Sequence, residues 1–114
     1  MSRGAREGLA SAVPVFAALG DETRLRLVAQ LCREGPLPIA RLSDASPVTR
    51  QAVTKHLHAL ARAGLVRRRG AGRRRGQVWE LQPRRLEDAR RWLDRISRQW
   101  DDALERLRAF VENE

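Results

Sequence analysis

From Leu86 to the end of the chain, apolar residues recur with one spacing. Leu86, Ala89, Leu93, Ile96, Trp100, Ala103, Leu107 and Phe110 stand 3, 4, 3, 4, 3, 4 and 3 residues apart. A heptad seam sustained for about three and a half repeats predicts one continuous helix whose stripe faces another helix. From Arg85 onward, about 27 residues at 1.5 Å each span roughly 40 Å. A chain of 114 residues has one modest core and cannot cover that length. The first turns are expected to lie on the chain's own domain, and part of the seam on a second subunit. Trp92 and Trp100 are expected in the core or at that interface.

Upstream, helix starts and stops are well marked. Residues 1–12 are small and polar and read as a disordered tail. Val13–Leu19 reads as a short helix with Val15, Phe16 and Leu19 at helical spacing, Pro14 in its first turn and Gly20 at its end. Asp21 caps a second helix that runs to about Glu34, with Gly35 closing it. Leu25, Val28, Leu31 and Cys32 form its expected apolar face. Pro38–Leu42 gives a third, short helix with Ile39 and Leu42 inward, and Ser46-Pro47 marks a turn. Thr49 then caps a fourth helix that Gly64 closes. Its buried stripe is Val53, Leu57 and Leu60. The opposite face carries Gln51, Thr54, Lys55, His58 and Arg62, with Thr49 and Arg50 at the N-terminal tip. That face holds no acid and no large apolar residue, and its side chains suit phosphates and base edges.

The run RRRGAGRRRG, Arg67 to Gly76, sits between two apolar flanks. Leu65-Val66 and Val78-Trp79-Glu80-Leu81 both read as strands, with glycines between them for the turn. The expectation is a β-hairpin anchored in the core with arginines at its tip. Like charges facing across a hairpin repel one another, an arrangement that a polyanion relieves.

The net charge of +9 is itself weak testimony, because all 23 basic residues but Lys55 are arginine. A GC-rich coding sequence produces such a skew. Its distribution says more. Residues 1–35 carry five basic and four acidic groups, residues 36–85 twelve and two, and residues 86–114 six and eight. Codon bias does not strip acids from one segment. A basic middle third without large exposed apolar partners points to nucleic acid rather than to a membrane surface. Three short helices, a basic helix and a glycine-arginine hairpin describe a winged helix-turn-helix. The expected fold is mostly α with five helices, a two-stranded wing and a long C-terminal dimerisation helix. Residues 13–83 would form the DNA-binding core and residues 84–114 the dimerisation helix.

Other functions find little support. A lone cysteine, Cys32, forms no intramolecular disulfide and no metal cluster, and reads as a buried small hydrophobe. His56 and His58 are two apart on a helix and do not face one ion. No apolar run reaches a membrane span, and the N-terminus lacks a signal core, so a cytoplasmic protein is expected. No paired carboxylate, Ser/His/Asp arrangement or phosphate-cradling loop suggests an enzyme.

The residues FAALGDETRLRLVAQL (16–31), QAVTKHLHALARAGLV (51–66) and GQVWELQP (76–83) resemble, in order and spacing, the ArsR/SmtB family of bacterial winged-helix repressors. The resemblance covers about residues 13–83. The last helix, RRWLDRISRQWDDALERLRAF, is similar to a branch of that family without metal sites. The resemblance implies a homodimer built from the first and last helices, with Val15, Phe16, Leu93, Ile96, Trp100, Leu104 and Leu107 at its interface. It implies major-groove contacts from Thr49, Arg50, Gln51, Thr54, Lys55 and His58, and wing contacts from Arg73, Arg74 and Arg75. His56 matches a position that supports the helix structurally. The family's arsenic-type cysteines and zinc-type histidines are missing here, so no metal and no other cofactor is expected. The resulting expectation is a dimeric, sequence-specific regulator of double-stranded DNA. Repression follows from the resemblance and a pseudo-palindromic operator from two-fold symmetry, and a repressor without an effector site would be expected to act on its own gene. The alternative is a non-specific DNA-coating protein, for which Thr49, Gln51, Thr54 and His58 would be unnecessary. No effector follows from the sequence.

Overall fold

The computed structural model describes residues 3–70 and 76–113. The elements run α1 (Arg3–Leu19), α2 (Glu22–Glu34), α3 (Ile39–Asp44), α4 (Arg50–Arg62), β1 (Val66–Arg69), β2 (Val78–Leu81) and α5 (Pro83–Glu112). This is the five-helix, two-strand winged architecture expected from the sequence.

Local chemistry sets the boundaries. Asp21 caps α2 by accepting from the Arg24 backbone N–H at 3.0 Å, and Gly35 ends it with φ +80°. Thr49 caps α4 by accepting from the Ala52 N–H at 3.1 Å. Gly64, at φ +79°, ends α4 in a Schellman turn, with Gly64 N–H donating to Ala61 and Leu65 N–H donating to Leu60. The chain therefore leaves α4 directly into β1. β1 and β2 pair antiparallel in the register Val66↔Leu81, Arg67↔Glu80, Arg68↔Trp79 and Arg69↔Val78. At the hairpin's outer end Gly70 sits at φ +122°, and a Cβ there would lie 2.7 Å from the Gly76 carbonyl oxygen, so glycine is required for the strands to close. A further bridge ties Leu37 to Trp79 through two backbone hydrogen bonds of 3.0 and 2.8 Å. The link between α2 and α3 thereby anchors β2.

The core collects Val15, Leu27, Val28, Leu31, Leu42, Val53, Leu57, Leu60, Leu65, Val66, Trp79 and Ala89. The α4 stripe of Val53, Leu57 and Leu60 is fully buried as expected, as is Leu42.

Four expectations are corrected. The first helix starts at Arg3, not Val13, so residues 3–12 are helical rather than a tail, and Ala12 is fully buried. Packing of α1 along α5 holds this stretch, where the sequence showed only small residues without a strong period. Pro14 accordingly stands inside the helix rather than in its first turn. The Ala10 carbonyl loses its intrahelical donor, but Ala10 is exposed to water. On α2, Leu27 rather than Leu25 faces inward, and Leu25 is 52% exposed. Cys32 is exposed and not buried. Leu25 and Cys32 are seven residues apart and share a stripe roughly 100° from the buried Leu31. Finally, Val15 is 0% exposed. It belongs to the chain's own core and offers no surface to a partner.

α5 has 30 residues and is about 45 Å long. Its first turns join the core through Leu86 and Ala89, and Trp92 meets Phe16 edge-to-face at 5.8 Å. The rest extends beyond the core. The radius of gyration is 18.7 Å, against about 13 Å for a compact chain of this size.

Candidate nucleic-acid interface

α4 divides into two faces by burial. Thr49, Arg50, Gln51, Lys55 and His58 are exposed, and Thr54 is half-buried. Arg50, Thr54 and His58, each four residues from the next, form one ridge. That ridge is one wall of a groove completed by Pro38, Ile39, Ala40, Arg68, Gln77 and Trp79. Gln51 and Lys55 lie on the adjoining turn of the helix surface, outside the groove. Thr54 donates its hydroxyl proton to the Arg50 carbonyl at 2.9 Å. It therefore presents its methyl group and an acceptor oxygen to a ligand. Thr49 uses its oxygen on the cap and keeps its hydroxyl proton. The expected wing contacts Arg73, Arg74 and Arg75 lie outside the described residues.

The hairpin has two chemically different faces, because side chains alternate along a strand. On one face Glu80 receives Arg67 Nε at 2.8 Å and lies 3.5 Å from Arg69 Nε. One carboxylate thus serves two of the arginines, and among the described residues no arginine stands opposite another in this register. On the other face Arg68 places its guanidinium carbon 5.5 Å from the centre of the Trp79 ring. His58 meets the same indole edge-to-face at 5.8 Å. Trp79 is 6% exposed, so it is a fixed floor beneath both. Sequence reading missed Arg68 and Glu80. The available signal was parity, since residues 66 and 68 must share a face and Val66 faces the core.

A polar joint holds α4 against the first two helices. Arg24 Nε donates to the Ala18 carbonyl at 2.6 Å, and its Nη1 donates to His56 Nδ1 at 3.3 Å. Asp21 Oδ2 lies 3.7 Å from the same His56 nitrogen. The Arg24 backbone amide, bonded to Asp21, holds that carboxyl below the usual range, against partial desolvation and with help from the Arg24 charge. His56 thus faces inward, in the supporting role the resemblance implied for it.

Two further sets of side chains complete the picture. Leu93, Ile96, Trp100, Leu104, Leu107, Phe110 and Val111 along α5 are between 40% and 66% exposed. Phe16 is half-buried against Trp92. Such a run of large apolar residues on one helix is an unfilled packing surface. Among the described residues, no group of three or more His, Cys, Asp or Glu stands close enough together to hold a metal ion, and no helix is long and apolar enough to cross a membrane.

Comparison with known proteins agrees with this geometry. A family profile described as a helix-turn-helix domain matches residues 19–69, from the end of α1 to the end of β1. The chain is 40% identical over 97 residues to the HTH-type transcriptional regulator Rv2034 of Mycobacterium tuberculosis, covering 85% of each chain. Among solved structures, an ArsR-like transcriptional regulator from Rhodococcus sp. RHA1 superposes with a TM-score of 0.71 at 35% identity, covering 90% of this chain and 93% of that one. A homodimeric winged helix-turn-helix DNA-binding domain from Mycobacterium bovis shares the fold with a TM-score of 0.60 at 24% identity, covering 93% of each chain. The order of the elements, the helix-turn-helix of α3 and α4, the two-stranded wing and these likenesses together place the chain in the ArsR family of winged helix-turn-helix transcriptional regulators.

Proposed function

We propose that the protein is a homodimeric, sequence-specific repressor that binds a pseudo-palindromic operator, including one upstream of its own gene. The observation that carries this reading is the ridge of Arg50, Thr54 and His58 on the exposed side of α4, whose other side is locked in the core by Val53, Leu57 and Leu60. A helix so mounted enters a major groove as a rigid body. Arg50 suits guanine, and Gln51 suits adenine. Thr49, Lys55 and the wing residues Arg73, Arg74 and Arg75 suit phosphates. The exposed α5 seam from Leu93 to Leu107, with Phe16, supplies the surface for a second copy, in keeping with the homodimeric M. bovis domain of the same fold. Two-fold symmetry then sets the half-sites about one helical turn apart. A regulator of this kind works where the chromosome is, in the cytoplasm.

The test is a gel shift on DNA from upstream of its own gene at about 0.15 M salt, with a scrambled duplex as competitor. A discrete complex that survives competition, with a two-fold footprint, supports the reading. Complexes that the competitor removes equally from every promoter tested would replace it with non-specific DNA coating.

A further inference from the structure

We propose that Arg68 is a DNA-contacting residue and that, of the three arginines of β1, it alone reaches the duplex, with Arg67 and Arg69 held back on the opposite face by Glu80. The inference rests on the DNA-binding reading above and adds a residue to it.

Four observations converge. Arg68 shares a groove with Arg50, Thr54 and His58, so a duplex seated on α4 meets it first among the strand arginines. Its guanidinium stacks on Trp79, and Trp79 is buried. Stacking orients the cation, among the described residues none of its five N–H donors is engaged, and a planar fork so held suits a phosphate or a base edge. Among the described residues Arg68 has no acidic partner, whereas Arg67 and Arg69 share Glu80 at 2.8 and 3.5 Å. Glu80 is only 12% exposed, so it does not swing away from them. The indole also joins Arg68 to His58 on α4. Wing and recognition helix therefore keep a fixed distance, and a contact by one sets the register of the other.

The test uses a mixed-sequence duplex of about 30 base pairs, because a phosphate contact does not depend on sequence. Binding of the full chain is followed by fluorescence anisotropy across a salt series for wild type, Arg68→Met and Arg67→Met. Loss of one phosphate contact lowers the slope of log K against log salt by about one, which weakens binding about five-fold near 0.15 M. Arg68→Met is expected to show both changes, and Arg67→Met less than about a two-fold change. Equal losses from the two variants would overturn the distinction between the two faces of β1. Weaker binding by Arg68→Met with an unchanged slope would make Arg68 a structural prop and not a contact. Wild-type binding matched by Arg68→Met would refute the inference while leaving the DNA-binding reading intact, and a wild type that binds no duplex at all would remove both.

Discussion

Replacing Trp100 by alanine separates assembly from folding. Trp100 is 64% exposed in the single chain. An aromatic side chain buries 150–250 Å² when fully covered, so roughly 100–160 Å² per copy remains for a partner to cover. At about 25 cal/mol per Å² that corresponds to some 2.5–4 kcal/mol per copy as an upper bound. Association costs reduce what is realised, and about 2 kcal/mol for the dimer is a conservative floor, equivalent to a roughly 30-fold rise in the dissociation constant. The substitution acts in the opposite direction on the helix itself, because alanine exceeds tryptophan in helix propensity by several tenths of a kcal/mol. Sedimentation across a concentration series, read beside far-ultraviolet circular dichroism, distinguishes the two effects. The expected result is a weaker dimer at unchanged helix content under saturating protein. A variant that dimerises as tightly as wild type would show that the α5 seam is not the interface and would leave its exposed residues without a role.

Further outcomes are expected elsewhere. Leu107→Glu, at a position 59% exposed, should leave the subunit core unaffected but yield monomers by light scattering, since two copies would each bury an unpaired charge. Glu80→Gln removes the anion shared by Arg67 and Arg69; tighter binding to mixed-sequence DNA and a steeper salt slope should follow, with stability changed by no more than about 1 kcal/mol. Gly64→Ala forces a side chain into φ +79° and sets a Cβ 2.9 Å from Arg85 Cγ, so a loss of about 1–2 kcal/mol in denaturant unfolding is expected. Asp21 has its carboxyl held low by the Arg24 amide, so the folded state binds this proton less readily than the unfolded chain. Its contribution is present at neutral pH and is lost as pH falls through and below the ordinary carboxylate range, and Asp21→Asn should flatten that part of the stability profile.

Much of the fold was legible because single residues carry it. Asp21, Thr49 and Gly64 mark helix ends by mechanisms that operate within one turn, and all three act as the sequence predicted. The buried stripe of α4 was equally clear, because three large residues at i, i+4 and i+7 admit one inward direction. What escaped was decided at long range. Residues 3–12 are helical because α5 passes beside them, and nothing local in RGAREGLASA announces that. Leu25 and Leu27 are the same residue type two positions apart, and only the position of α4 chooses between them. The candidate interface divides in the same way. Placing Arg50 and His58 on the outer face needed only helical geometry, whereas the distinct parts played by Arg67, Arg68 and Arg69 follow from a register with Glu80 and Trp79 that pairs positions ten or more apart.

The bridge between Leu37 and Trp79 bears on what the sheet cannot do. β2 would otherwise present an unpaired edge, the kind of template along which foreign strands add and aggregates grow. Leu37 fills that edge with one residue and commits both its backbone groups to Trp79. Its neighbours are Pro36 and Pro38, which have no N–H to offer a further strand. The sheet thus ends at a stop one residue wide. Substituting either proline would reopen the edge, and a change that leaves the folded subunit nearly intact would then appear as slow β-rich precipitation at high concentration.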